Sequence, residues 1–400
     1  MLLNTAFNAC LDKLARPEIH LLRRRWYAYR ICGYTGLALA ILQSIWFVTH
    51  RGLSLWVLTG IVLAAMLTFF GLVMATKIIT GKERIIYYHH EIVVMIVAAA
   101  LLWLSGQPIL PYLDVTILGI GMFLACGRIG CLMAGCCHGL PHSWGVRYSA
   151  EHADCGLSAF YIGVRLFPIQ AIESFYVLVV VLIGIRLILS EQAPGEVLTW
   201  YTVAYGLGRF FFEFLRGDPE RPYHWGFSQP QWISLSLIGA VAWAELAGTI
   251  SLHPWQLGVA AFLAVTVIAI SLRDSRRDVT RRKLLNARHL HEFVGAVQLA
   301  SGLAVDKCDI CKQVPATQDI HIACTYLGVQ VSASRIRRAT GHIHHYSIYY
   351  QNGILSEEAA RHLTEVLLRI KHPFDSSKLI RGGRGVFHLL VHTPPDQLLS

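Results

Sequence analysis

Tyr201, Tyr205, Arg209 and Glu213 recur every fourth residue inside an apolar run, so they share one face of a helix, with Arg216 one turn beyond Glu213. A charged side chain in a membrane helix costs at least about 2.5–3.5 kcal/mol on insertion scales, so each one needs a reason. Two reasons fit. Arg209 and Glu213 can form an ion pair that pins helix packing. Alternatively, Arg209 can bind an anion at membrane depth, because its planar fork matches a phosphate. Gly206 and Gly208 leave room for a second helix or a headgroup. A second intramembrane arginine lies in Gly127-Arg128-Ile129-Gly130-Cys131, with Gly135 and Gly139 following. Either Arg128 snorkels to the interface, or this glycine-rich backbone breaks from helix to approach a ligand that two arginines grip together. Tyr87-Tyr88-His89-His90-Glu91 opens another apolar stretch. His89 could take a proton from a thiol or hydroxyl, or be a polar tip among headgroups. Gln170 and Glu173, one turn apart, could line the same cavity.

The chain that positions these residues is 400 residues long, 54% hydrophobic and only 15% charged. Its mean hydropathy is +0.47. Soluble domains carry about 25% charged residues, so a soluble enzyme, a disordered chain and a disulfide-stapled mini-protein are all excluded. Eight apolar stretches follow one another at roughly 31–49, 54–76, 91–105, 113–133, 168–189, 197–215, 231–250 and 254–272. Each approaches the ~20 residues that a helix needs to cross the hydrocarbon. The fold class expected is an all-α polytopic membrane protein with seven or eight transmembrane helices and a small α+β soluble domain at its C-terminal end. Three parts are delimited: an amphipathic segment 1–30, a transmembrane domain 31–272 and a basic domain 273–400. No signal peptide is read at the start. Residues 4–24 read as a surface helix leading to the basic, aromatic anchor Arg23-Arg24-Arg25-Trp26-Tyr27.

The C-terminal domain holds 18 Lys and Arg against 11 Asp and Glu, and ten of the 19 histidines. On a membrane protein such a balance faces anionic headgroups; no motif points to nucleic acid. Its pattern predicts a helix over 280–302, strands near 320–332 and 343–350, a helix from Ser356 to about Lys371 and a closing strand at 385–392. Loops 77–90, 134–167 and 216–230 hold most Lys and Arg, whereas 105–113, 190–196 and 250–253 hold none. By the positive-inside rule both termini then lie in the cytoplasm. Cys126, Cys131, Cys136, Cys137 and Cys155 cluster without a standard zinc spacing and are read as structural, with a soft-metal or thiol-exchange site as the alternative. Cys308-x-x-Cys311 with His321 and Cys324 could hold zinc; a Cys308–Cys311 disulfide or no special role fits as well. His342, His344 and His345 read as a solvated sheet face.

Taken in order, these motifs resemble the prolipoprotein diacylglyceryl transferase family. The resemblance spans roughly 25–250 and rests on four groups of residues. They are Gly127-Arg128-Ile129-Gly130 with Gly135 and Gly139; Pro168-x-Gln170-x-x-Glu173; Tyr205-Gly206-x-x-Arg209-Phe210-x-x-Glu213-x-x-Arg216; and the framework pieces Arg25-Trp26-Tyr27 and Gln231-Trp232-Ile233-Ser234. It implies transfer of the diacylglyceryl group of phosphatidylglycerol to the lipobox cysteine of a prolipoprotein signal peptide, with release of glycerol 1-phosphate. It further implies a multi-pass protein of the bacterial inner membrane, in contact with membrane lipids and needing no cofactor. Carried over by position, His89, Arg209 and Tyr205 are catalytic, and Arg128, Gly139, Gln170, Glu173, Glu213 and Arg216 bind substrate, with no metal among them.

The chain departs from the family's pattern at several points. Cys131 stands where Asn is common, Ala134-Gly135-Cys136 where Asn-Gly-Glu is usual, Phe167 where a histidine precedes Pro-x-Gln, and His90-Glu91 where two glycines follow the histidine. A Cys-rich, divergent branch of the family fits these changes, and such a branch leaves room for substrates other than the standard ones. The family also implies seven crossings with an outward N-terminus, against the charge-based orientation; for 25–250 the resemblance is given precedence. Two other classes stay open: a non-enzymatic phospholipid-binding or transport module, and a membrane thiol-redox or metal-handling protein.

Overall fold

Uniform apolarity, rather than an apolar stripe, marks the helices of the first two-thirds of the chain, as expected where lipid and protein both surround a helix. The computed structural model describes residues 2–393 apart from 22–23, 82–86, 159–160, 219–221, 276–283, 303–311, 314–320, 339–340 and 371–375. Helices in this part are α1 (Leu2–Leu14), α2 (Ala28–His50), α3 (Leu55–Thr80), α4 (Tyr87–Leu104), α5 (Ile109–Ala134), α6 (Ile169–Leu189), α7 (Glu196–Phe212), α8 (Gln229–Leu246) and α9 (Pro254–Ser275). Each of the eight apolar stretches falls on one of the helices α2 to α9. Among the described residues five helices are long and apolar enough to cross a membrane: Ala28–His50, Leu55–Ile79, Ile109–Ala134, Ile169–Leu189 and Pro254–Leu272. Tyr88–Leu104 is apolar but shorter. The chain is a membrane protein.

The N-terminal segment corrects one expectation. The helix read over 4–24 stops at Leu14, because Pro17 offers no N–H to continue it. Glu18–Leu21 (β1) then pairs antiparallel with Arg24–Tyr27 (β2).

Helix α5 is the central element, packed against α2, α4, α6 and α7, and most of its residues are buried. Its contact with α2 is close enough that a Cβ on Gly36 would sit 2.8 Å from the Cys126 Cβ, the small-residue packing that membrane helices use in place of a hydrophobic drive. At the opposite end, buried Asp114 of α5 accepts hydrogen bonds from the Gly195 and Leu198 N–H groups at 2.7 and 2.8 Å. It thereby caps α7 from a neighbouring helix and fixes α7 in height against α5. A capping box formed by Ser228 and Gln231, with Pro230 in the first turn, starts α8.

Between α5 and α6 the chain forms the short strands β3 (Pro141–Arg147) and β4 (Arg165–Leu166), with a 3-10 turn at Ala150–Cys155. A second small hairpin, β5 (Tyr223–His224) and β6 (Phe227–Ser228), precedes α8.

The C-terminal part is a six-stranded antiparallel sheet in the order β11-β12-β10-β9-β8-β7. Its strands are β7 (Lys312–Gln313), β8 (His321–Cys324), β9 (Val329–Arg338), β10 (Gly341–Tyr350), β11 (Ser376–Arg381) and β12 (Phe387–Thr393). Helices α10 (Ala287–Ala300) and α11 (Glu357–Ile370) contribute Phe293, Val297, Leu363 and Leu367 to a core shared with Val331, Tyr346, Ile348 and Phe387. The run read as one strand near 320–332 is two, β8 and β9, because Gly328 turns the chain between them at φ +89°. Strand β11 escaped the sequence reading: Ser376–Arg381 is mostly exposed and lacks an apolar face. His344 and His345 fall on opposite faces of β10, and His344 is buried, so the reading of these histidines as one solvated face is corrected.

Both ends of the chain rest on the connection between α5 and α6. Helix α1 packs on β3, and Arg165 makes a two-pronged pair with Asp12, at 3.1 and 3.0 Å. Val294 of α10 and Ile370 of α11 share a cluster with Leu11, Val146 and Tyr161, and Arg369 Nη1 donates to the Pro141 carbonyl at 2.6 Å.

Candidate active site

Helices α5, α6 and α7 each supply one charged side chain to a single buried cluster. Arg128 Nη2 stands 3.0 Å from Glu173 Oε1, and Arg209 Nη1 stands 3.8 Å from Glu173 Oε2. Arg209 Nη2 meets Glu213 Oε1 at 2.6 Å, the i,i+4 pair that the helical spacing allowed. Arg216 Nη1 lies 3.9 Å from that same oxygen and pairs through two 3.0 Å bonds with Asp218. Three guanidinium groups thus face three carboxylates. Apart from Asp218, none of these charged residues is more than 6% exposed. Desolvation on this scale is tolerated only because every charge has an opposite partner. The Nε of Arg128 has no hydrogen-bond partner among the described residues. Arg128 does not snorkel; it points into the bundle.

Neutral groups complete the cluster. The Tyr205 hydroxyl donates to Glu173 Oε1 at 3.3 Å, and its ring stacks on Tyr201 with centroids 5.6 Å apart. Ser228 Oγ donates to Glu213 Oε2 at 2.8 Å, and Gln231 spans the Ser228 N–H and the Phe210 carbonyl. His89 stands beside the cluster: its Nε2 lies 3.1 Å from Gln229 Nε2, one residue from Ser228. The adjacent Tyr88 contacts both the Tyr205 ring, at 5.6 Å, and Ser234 Oγ, at 2.8 Å. A cavity of about 730 Å³ has Ile92, Tyr223, Trp225, Trp232 and Gln229, the partner of His89, in its wall.

Two expected site residues sit apart from the charges. Gln170 Nε2 donates to the Cys136 carbonyl at 2.8 Å and so holds the cysteine loop. Gly139 lies where three backbones meet: its N–H donates to the Phe167 carbonyl, the Leu140 N–H to Leu215, and the Gly217 N–H to His138. A Cβ at Gly139 would stand 2.5 Å from the Phe167 oxygen, so only glycine fits there. This junction ties the end of α7, and with it Arg216, to the α5–α6 connection.

Sequence reasoning gave no site role to Asp218, Ser228, Gln231 or Tyr88. Asp218 carried a signal, lying two residues after Arg216, whereas Gln231 stood only among the framework pieces and Tyr88 only beside His89. The loop after α5 also gathers Cys131, Cys136 and Cys137, whose sulfurs all lie within 4.8 Å of one another. Hydrogen bonds from the Cys131 and Cys136 thiols push the Cys137 thiol well below the usual range, and the Arg216 and Arg128 guanidinium groups add to this. Burial holds neighbouring His138 below the usual imidazole value. Cys308 and Cys311 lie outside the described residues.

These features define a helical membrane protein whose bundle encloses a charge-balanced arginine–carboxylate cluster. Residues 25–246 match the family model of prolipoprotein diacylglyceryl transferases, and the chain belongs to that family. It is 33% identical over 114 residues to phosphatidylglycerol--prolipoprotein diacylglyceryl transferase 2 of Clostridium perfringens, covering 28% of this chain and 42% of the relative. The corresponding enzyme of Clostridium tetani is 30% identical over 112 residues, covering 28% and 43%. That of Dehalococcoides mccartyi is 28% identical over 134 residues, covering 32% and 46%. The matched region spans less than half the length of each of these relatives.

Proposed function

We propose that the chain transfers the diacylglyceryl group of phosphatidylglycerol to the lipobox cysteine of a prolipoprotein, releasing glycerol 1-phosphate, as a multi-pass protein of the bacterial inner membrane. The observation that carries this reading is the convergence of Arg128, Arg209 and Arg216 on Glu173 and Glu213 in a chain of this family.

The chemistry follows from those groups. The acceptor thiol gives its proton to His89, because the thiolate is the nucleophile. Sulfur then attacks the glycerol carbon that carries the phosphate. A C–S bond forms, the C–O bond breaks, and its electron pair leaves on the phosphate oxygen. Arg128 and Arg209 hold the phosphate and neutralise the charge that grows on it, and the Tyr205 hydroxyl adds a donor beside them. The carboxylates of Glu173 and Glu213 keep the guanidinium groups aimed until the phosphate takes their place. Arg216 and Gly139 position the end of α7, and Gln170 positions the loop after α5. The cavity walled by Trp225, Trp232 and Gln229, the partner of His89, admits the apolar signal peptide.

The same reading places 31–272 as the transferase domain, 1–30 as its surface segment and 273–400 as an appended domain. With α2 to α9 each crossing once, eight crossings bring both ends of the chain to the face of the α5–α6 connection. The packing of α1 and of α11 on β3 supports this count.

The test is a mass-shift assay of a lipobox peptide with purified protein and phosphatidylglycerol. A diacylglyceryl gain on the cysteine that is lost in Arg209→Ala and His89→Ala is the expected result. Gain that survives His89→Ala moves the base elsewhere. Lipid binding without any mass gain, in a folded preparation, overturns the transferase reading in favour of a lipid-binding module.

A further inference from the structure

The loop that follows α5 has a geometry which the arginine cluster does not explain. Cys131 sits in the last turn of α5, and Gly135 ends the helix in the left-handed conformation at φ +80°. Cys137 is also left-handed, at φ +53°, which costs a non-glycine residue about 1–3 kcal/mol and persists where the surroundings demand it. The two left-handed residues fold the chain back, so that Cys136 and Cys137 return to Cys131. All three sulfurs then lie within 4.8 Å of one another. Three sulfurs set trigonally about 2.3 Å from one metal ion stand roughly 4.0 Å apart, so the three thiols need little movement to share an ion. The Gln170 amide clamps the Cys136 carbonyl from α6, holding the loop in this form.

We propose that Cys131, Cys136 and Cys137 form a three-thiolate site for a thiophilic cation, with monovalent copper as the ion whose coordination it matches. Among the described residues no fourth histidine, cysteine or carboxylate joins the three sulfurs, whereas structural zinc takes four protein ligands. Soft thiolates select copper(I) over harder divalent ions. Binding displaces the remaining thiol protons and leaves a site of net charge −2. Arg128, one turn before Cys131 on α5, offsets part of that charge. The bound ion would lock the end of α5 to the loop that leads to Gly139 and the end of α7.

The inference stands apart from the transferase reading, because its readout is metal content. Purified full-length protein in detergent is reduced, loaded anaerobically with copper(I) or with zinc(II), and desalted against a copper(I) chelator. One equivalent of copper per chain is expected, with X-ray absorption showing three sulfur neighbours at about 2.3 Å. Cys136→Ser and Cys137→Ser should each lose the bound copper, whereas Cys155→Ser and Cys308→Ser with Cys311→Ser should retain it. A folded preparation that retains no copper overturns the proposal. So does copper that stays in Cys136→Ser, or a site that retains zinc in preference to copper.

Discussion

The membrane bundle and the C-terminal domain both bury titratable side chains, and the arginine cluster of the first and His289 of the second are held by opposite means. In the bundle, Arg128, Arg209 and Arg216 are charged and met by Glu173, Glu213 and Asp218. In the C-terminal domain, wholly buried His289 is neutral. Its Nδ1 lies 2.6 Å from the Leu284 carbonyl and its Nε2 lies 2.8 Å from Thr325 Oγ1, which suits one ring N–H and one ring lone pair. Burial lowers its pKa to about 4. A neutral, hydrogen-bonded group holds a fold in one state. Paired charges are also exchangeable, since a phosphate can replace a carboxylate on a guanidinium without leaving a charge bare. On the proposed function, the difference separates a site that takes a ligand from a core built for shape.

The largest effect is expected at Glu173. Glu173→Ala removes the carboxylate shared by Arg128 and Arg209, and the bundle should lose about 3–5 kcal/mol, read by thermal unfolding in detergent. A shift within error would mean that the arginines are not held by charge pairing. Next is Arg209→Lys, which keeps the charge but loses the fork; transfer to a lipobox peptide should fall about 10²–10³-fold. Wild-type rates in this variant would show that only the charge matters.

Acid should separate the two regions. An unfolded histidine titrates near 6.5, so between about 6.5 and 4 the unfolded C-terminal domain binds a proton at His289 that the folded domain refuses. Its stability is therefore full above pH about 6.5 and falls as the pH drops toward 4, by on the order of 3 kcal/mol. His291, also brought to about 4 by burial and then by His138, acts in the same direction. Hydrogen exchange should show α10 and its neighbouring strands opening at pH 5 while α5 stays protected; equal opening of both would refute the contrast. The smallest effect is expected at the junction. Arg369→Ala removes the bond to the Pro141 carbonyl, worth about 1–2 kcal/mol, and should speed hydrogen exchange in α11 without unfolding the bundle.

Several parts of this fold were legible from local rules. Four-residue spacing put Arg209 and Glu213 on one face, and the pair forms at 2.6 Å. Ser356 with Glu357 and Glu358 marked the start of α11, observed at Glu357–Ile370. Alternation found β10 and β12 to within about two residues. Pro17 and the exposed Ser376–Arg381 defeated the same rules, the first because a breaker outweighed an apolar pattern, the second because an edge strand needs no apolar face.

That this chain enters a membrane, which of its helices carry charge and which family it resembles are written in neighbouring residues, because hydropathy and short motifs are local properties. The meeting of Arg128 of α5, Glu173 of α6 and Arg209 of α7, the pairing of Arg216 with Asp218 and the return of Cys136 and Cys137 to Cys131 arise only on packing. The helices are apolar on nearly every side, so their sequences hold little record of which face meets which neighbour. That choice falls to close contacts such as Gly36 against Cys126 and to the reach of Asp114 to the start of α7, which exist only once the chain has packed.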